Sequence, residues 1–167
     1  LINQKKLREV SICLRSIENF TRGGALADYE QVYKDGEKLQ EVWRGHKTAH
    51  ITTPAGTNLY MEMNQMEPII ECGIARNPGD AMAWSDGEVS LGPVIGSTHG
   101  TLVIDGPICY YGCPTVPVEL KIEGGRIVEV VGGDAKICRE IRRQIAEIKD
   151  SDNIAEIGIG LNPACLF

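Results

Sequence analysis

The sequence predicts an α+β fold, in which a curved and mostly antiparallel sheet is covered by two or three helices. Apolar residues recur at three- and four-residue spacings in three segments, the pattern of amphipathic helices. Short β-branched or alternating runs, separated by turn residues, fill most of the chain between the second and third of these segments. Because the strand-like runs follow one another directly, their connections are expected to be local.

Three helices are predicted, and two of them have a clear start signal. The first runs up to residue 20 and ends at a Thr-Arg-Gly-Gly stretch. Asp28 is placed to cap the second, which stops at Gly45, and Asp134 is placed to cap the third. The apolar stripe of the third helix consists of the isoleucines at positions 137, 141, 145 and 148.

Seven short segments have the composition of strands. They are residues 50–53, 58–63, 87–91, 101–104, 116–122, 126–131 and 153–159. The turn between 116–122 and 126–131 contains Gly124 and Gly125, whose freedom to adopt positive φ suits a tight hairpin. Residues 64–83 show no regular pattern and are predicted to form a long loop.

Length and composition predict one cytoplasmic domain covering residues 1–167. The chain is 43% hydrophobic and 24% charged with a net charge of -6, which excludes a disordered protein and disfavours a nucleic-acid surface. No apolar run reaches the roughly 20 residues of a membrane helix, and no signal-peptide pattern opens the chain. The six cysteines are expected to be reduced, with Cys109 and Cys113 interpreted as buried small side chains and a structural zinc as the alternative.

Two glutamates are the candidate metal ligands. Glu88 and Glu156 each lie on a predicted strand, near glycine and in a largely uncharged neighbourhood. A buried carboxylate is costly unless it is paired or metal-bound, although the residue pattern alone fits solvent-facing side chains better. Asp86, His99 and Asp105 are candidates for a supporting role beside Glu88, and each is also an ordinary turn or surface residue.

Five motifs stand out along the chain, at residues 54–59, 86–89 with the proline at 93, 100–106, 119–130 and 153–164. Together they resemble the leucyl aminopeptidase (aminopeptidase T) family, which is related to 2,5-dihydroxypyridine dioxygenase. The resemblance covers about residues 21–165 in the family's order, and its most specific part is the last motif, Asn-Ile-Ala-Glu-Ile-Gly-Ile-Gly-Leu-Asn-Pro-Ala.

This resemblance implies a partial copy of a metal-dependent hydrolase. In the family Glu88 and Glu156 would match two metal-binding glutamates, while a histidine, a tyrosine and a His-x-Asp would follow residue 167, and an N-terminal α/β domain would precede the chain. The parent would use zinc, cobalt, magnesium or manganese to activate water and release N-terminal residues from peptides, and this chain alone would bind metal weakly or not at all.

Two alternatives stay open beside the hydrolase. One is a relative of the ring-cleaving non-haem iron dioxygenase, which has a histidine about where Glu156 stands, so that Glu156 favours the hydrolase. The other is a non-catalytic domain that associates with itself. A homodimer is expected in any case, because a part of a larger fold exposes apolar surface and sheet edges.

Overall fold

The computed structural model describes residues 6–12, 17–85 and 87–165, and their fold is α+β, as predicted. The chain divides into two compact units. The first unit comprises Leu1–Gly45, Gln65–Leu91 and Ile157–Leu166, and the second contains His46–Asn64 and Gly92–Glu156. The single domain of 1–167 stays a prediction.

The described residues form ten strands and two α-helices. The strands are β1 (Glu9–Ile12), β2 (Thr48–Thr52), β3 (Asn58–Glu62), β4 (Ile69–Glu71), β5 (Ala81–Trp84), β6 (Glu88–Leu91), β7 (His99–Ile104), β8 (Val118–Glu123), β9 (Arg126–Gly132) and β10 (Ile157–Gly160). The helices are α1 (Tyr29–Trp43) and α2 (Ala135–Glu147), and two 3₁₀ turns lie at Ile17–Phe20 and Gly23–Leu26.

The second unit is an antiparallel sheet of five strands in the order β2-β3-β7-β8-β9, with α2 packed on one face. Alternate residues of β8 point into the core, which explains why Val118, Leu120 and Ile122 are buried. Ile137 and Cys138 of α2 cover them. Each fully buried aliphatic side chain of this kind stabilises the fold by about 1.5–3 kcal/mol.

The predicted hairpin and the two capped helices are confirmed. Gly124 and Gly125 have φ of 56° and 74° in the turn between β8 and β9. The Asp28 carboxylate accepts hydrogen bonds from the backbone N–H groups of Glu30 and Gln31 at 3.1 Å. Asp134 caps α2 in the same way, and these bonds satisfy N–H groups that have no partner within the helix.

The first unit contains two smaller sheets and α1. Strands β10, β6 and β4 form an antiparallel sheet in that order, and β1 pairs with β5 in parallel. Helix α1 packs on β4 and β6. Gly36 permits this close approach, because a Cβ there would lie 2.7 Å from the Cγ2 of Ile70.

The structure corrects three local predictions. The first helix is wrong at Glu9–Ile12, which is a strand held by β5 from a distant part of the chain; residues 13–16, also inside that prediction, lie outside the described residues. The long loop at 64–83 is wrong where β4 and β5 form. Cys109 and Cys113 are exposed rather than buried; Cys109 lies within the tight turn closed by Ile108 and Gly112, and Cys113 directly follows it.

The expectation of one sheet covered by both helices is also corrected, since the strands of the described part of the chain form three sheets and α1 belongs to the first unit. In that same part of the chain, no helix is both long enough and apolar enough to cross a membrane.

Candidate functional site

Glu88 lies at the start of β6, in the middle strand of a three-stranded sheet, and is half-buried. Its cross-strand neighbours are Glu71 on β4 and Gly160 on β10. A Cβ built on Gly158 would lie 2.8 Å from the Oε2 of Glu88. The Glu88 carboxylate therefore occupies the space that a side chain at position 158 would fill. Like charges directly opposite each other on neighbouring strands are unfavourable, and Glu71 and Glu88 form such a pair.

Glu156 is exposed and directly precedes β10. It belongs to the second unit, whereas Glu88 belongs to the first. The predicted convergence of the two carboxylates on one cleft therefore stays a prediction.

The three predicted supporting residues have different outcomes. Asp86 lies outside the described residues. His99 is exposed at the start of β7, with its Nδ1 3.1 Å from the carbonyl oxygen of Ser97. Asp105 is exposed immediately after β7. The last two belong to the second unit, and their role beside Glu88 is untested.

The part of the chain between residues 6 and 165 that the structure describes contains no group of three or more His, Cys, Asp or Glu side chains able to hold a metal ion. Glu88 and Glu156 do not complete such a set. The described residues alone therefore do not fit a finished metal centre, which needs several converging ligands.

A cavity of about 430 Å³ opens in the first unit, and it brings together segments that are far apart in sequence. One segment is the stretch that ends the predicted first helix, one is Ser85 beside the Asp-Gly-Glu-Val motif, and one is the C-terminal Asn-Pro-Ala-Cys stretch. The described residues that line the cavity are Glu18, Asn19, Arg22, Gly23, Gly24, Ser85 and Cys165.

Asn162 holds these segments together. Its Nδ2 donates to the carbonyl oxygens of Gly24 at 3.0 Å and Ser85 at 3.2 Å, and its Oδ1 accepts from the N–H of Ala164 at 3.0 Å. The carbonyl oxygen of Gly24 also accepts a 2.7 Å bond from the Tyr29 hydroxyl. The Asn-Pro-Ala motif thus fixes the floor of the cavity.

Gly24 is buried and cannot be replaced without a clash at this floor. A Cβ at this position would lie 2.7 Å from the carbonyl oxygen of Ser85 and 3.0 Å from the Sγ of Cys165. A Thr-Arg-Gly-Gly stretch is an ordinary helix end, so residue type alone does not single out Arg22 or Gly24. The available signal was that the family resemblance begins at that stretch.

The exposed face of the second unit's sheet carries a row of three stacked rings. His50 on β2 lies 3.8 Å from Tyr60 on β3, centroid to centroid, and Tyr60 lies 5.6 Å from His99 on β7. The three residues are cross-strand neighbours, so the strand register creates the stack. His50 is oriented further by a 2.8 Å contact between its Nε2 and the Oδ1 of Asn58.

Comparison with known proteins identifies the family. A sequence model of the family NicX: 2,5-dihydroxypyridine 5,6-dioxygenase matches residues 10–167. A 2,5-dihydroxypyridine 5,6-dioxygenase of Pseudomonas putida KT2440 is 29% identical over 121 residues, which cover 70% of this chain and 34% of that enzyme. This chain therefore spans about a third of that relative's length.

Two solved structures share the fold. The 2,5-dihydroxypyridine dioxygenase structure from P. putida KT2440 matches with a TM-score of 0.75 at 20% identity, over 98% of this chain and 54% of that chain. Wild-type AmpT from Thermus thermophilus matches with a TM-score of 0.56 at 17% identity, over 86% of this chain and 36% of that chain.

These matches support the predicted relationship to both groups of proteins, and they support the dioxygenase alternative better than the aminopeptidase interpretation. The residue type of Glu156 favours the aminopeptidase, but one ligand position does not decide between the two families. Since the family's sequence model matches nearly the whole chain, this chain belongs to the NicX family of 2,5-dihydroxypyridine 5,6-dioxygenases.

Proposed function

We propose that this chain is part of a ring-cleaving dioxygenase that acts on a hydroxylated pyridine. The observation that carries the proposal is the match of the NicX family over residues 10–167. The activity named for the P. putida relative is 2,5-dihydroxypyridine 5,6-dioxygenation. In such a reaction both atoms of O₂ enter the product as one ring bond breaks, so no external reductant is consumed.

The cavity of the first unit is the proposed place for the organic substrate. Its volume of about 430 Å³ falls within the usual range of small-molecule sites, and a single six-membered ring is small enough to fit. Gly24, Ser85 and Cys165 form a floor that Asn162 holds in position. A fixed floor of this kind orients a bound ring without the entropic cost of ordering loops at each binding event.

Glu88 and Glu156 stay the proposed metal ligands of this chain, with the metal identity open among divalent ions. Support for Glu88 comes from its half-buried carboxylate over Gly158 and its charged neighbour Glu71. Oxygen ligands of this kind suit hard or borderline divalent cations. The remaining ligands would have to come from outside the described residues.

The test is oxygen uptake by the full translated protein, supplied with ferrous iron and 2,5-dihydroxypyridine. We expect one O₂ consumed per ring opened, a large loss of rate in Glu88→Gln, and no loss in Glu129→Gln, an exposed carboxylate on β9 of the second unit. Equal rates for both variants would remove Glu88 from the proposal. Failure of the wild-type protein to consume O₂ would remove the dioxygenase activity itself.

The second candidate is a metal-dependent aminopeptidase acting on peptide substrates. It is favoured by the carboxylate at Glu156 and by the shared fold with AmpT. Release of p-nitroaniline from leucine p-nitroanilide, measured with zinc, cobalt, magnesium or manganese, separates the two candidates. Hydrolysis without any O₂ uptake would support the aminopeptidase.

A further inference from the structure

Two exposed thiols lie at a tight turn of the second unit. Cys109 lies within the turn that Ile108 and Gly112 close, and Cys113 directly follows it. Ile108 and Gly112 exchange two backbone hydrogen bonds of 2.9 Å, each N–H donating to the carbonyl oxygen of the other residue. The N–H of Tyr111 donates to the carbonyl oxygen of Ile108 at 3.0 Å. The chain therefore reverses direction between Cys109 and Cys113.

The same turn is attached to the body of the second unit. The Tyr111 hydroxyl accepts a 2.6 Å hydrogen bond from the Nε2 of Gln144 on α2. The side chains of Ile108 and Tyr111 pack against the buried hydrophobic cluster of this unit. Because the turn is held both by its own backbone bonds and by α2, a ligand that binds to it has little chain left to order.

The register of the turn places the two thiols on one face. Cys109 and Cys113 each follow a residue of the Ile108 and Gly112 pair, and the Ile108 side chain packs on the core. Since successive side chains of extended backbone point to opposite faces, both cysteines face away from the core, and both are exposed. They are diagonal neighbours across the pair, a relation in which Cα atoms lie about 7–8 Å apart.

This spacing suits a bound ion better than a disulfide. The Cα atoms of a disulfide usually lie no more than about 6.8 Å apart, whereas an ion between two thiolates adds a bond of about 2.3 Å on each side, the value for zinc. In the part of the chain that the structure describes, no third His, Cys, Asp or Glu joins the pair to form a metal-binding group. Zinc in structural sites takes four ligands, but a soft monovalent ion is stable between two thiolates.

We propose that Cys109 and Cys113 form a two-thiolate site for a soft monovalent metal ion, copper(I). Binding forms two copper–sulfur bonds, and each thiol releases its proton to solvent, so the step needs no oxidant or reductant. The site lies in the second unit, whereas the cavity belongs to the first, and it does not rest on the proposed function.

The experiment is a copper(I) titration of the full translated protein, reduced and kept free of O₂, in competition with the coloured copper(I) complex of bicinchoninate. The wild-type protein should take up one more copper(I) ion per chain than Cys109→Ser or Cys113→Ser, because a lone thiol does not compete with the dye. Both side chains are exposed, so each variant should keep the urea midpoint of the wild type.

Cys165→Ser is the matched control, since it removes another exposed thiol, in the first unit, and should take up as much copper(I) as the wild type. Three results would overturn the inference. They are no uptake of copper(I) by the wild-type protein, equal uptake by the wild type and either Cys109→Ser or Cys113→Ser, and an equal loss in Cys165→Ser.

Discussion

Replacing Asn162 with alanine should loosen the first unit and leave the second unit intact. The substitution removes three hydrogen bonds, to Gly24, Ser85 and Ala164. At about 0.5–1.5 kcal/mol each, their combined net contribution is about 1.5–4.5 kcal/mol. The carbonyl oxygen of Gly24 keeps its bond from Tyr29, so we expect a loss of about 2–3 kcal/mol.

Hydrogen exchange read by mass spectrometry can assign this loss to one unit. Because 1.4 kcal/mol corresponds to a factor of ten, amides that exchange through opening of the first unit should exchange about 30–150 times faster. Peptides from β8 and β9 in the second unit should be unchanged. Asn77→Ala is the matched control, since Asn77 is an exposed loop residue of the same unit.

Two results would refute this prediction. The first is an exchange rate that rises less than about threefold in the peptide that contains β10 and Asn162, which is less than even a 1.4 kcal/mol loss would give. The second is an equal rise in exchange rate in Asn162→Ala and Asn77→Ala. Either result would mean that the Asn-Pro-Ala motif does not hold the cavity floor.

Hydrogen bonds from Thr115 and from the first turn of α2 lower the pKa of Asp134 to about 2. Because this folded-state pKa is below the ordinary value of about 3.9, the ionised Asp134 stabilises the fold above about pH 3.9, and the stabilisation is lost as the pH falls toward 2. Asp134→Asn should therefore flatten the acid side of a plot of urea midpoint against pH. Tyr60→Ala should cost about 1–2 kcal/mol by removing ring contacts with both His50 and His99, and a urea denaturation midpoint equal to that of the wild type would contradict it. A homodimer is the proposed assembly, and a strictly monomeric mass in light scattering at high concentration would count against it.

Local signals were sufficient for the elements that depend on local chemistry. The caps at Asp28 and Asp134 predict both α-helices because a side chain and the next three residues form the whole motif. The hairpin at Gly124 and Gly125 is predictable for the same reason. The strands β8 and β9 that it joins contribute Val118, Leu120, Ile122 and Val130, four of the seven buried residues of the hydrophobic cluster under α2.

The spacing of apolar residues could not predict the pairing of strands that are far apart in sequence. Leu7 and Val10 have helical spacing, yet Glu9–Ile12 is extended because its backbone pairs with β5 about 70 residues later, starting with a 2.9 Å bond from the N–H of Glu9 to the carbonyl oxygen of Asp80. Strands as short as β4 carry too few residues for any alternation to show.

The candidate site was predictable in part. Family motifs pointed to Glu88, and the structure places its carboxylate half-buried on the middle strand of a sheet. The cavity was missed because Arg22, Ser85 and Cys165 line it together only in the folded chain, and these three residues are far apart in sequence. Asn162 belonged to a recognised motif, but its function as a connection between segments is visible only in three dimensions.

The most direct test of the proposed activity is isotope labelling with ¹⁸O₂. The full translated protein, supplied with ferrous iron and 2,5-dihydroxypyridine, should yield a ring-opened product that contains two labelled oxygen atoms per molecule. A product without label, or an unchanged ring together with release of leucine from a peptide under the same conditions, would contradict the account.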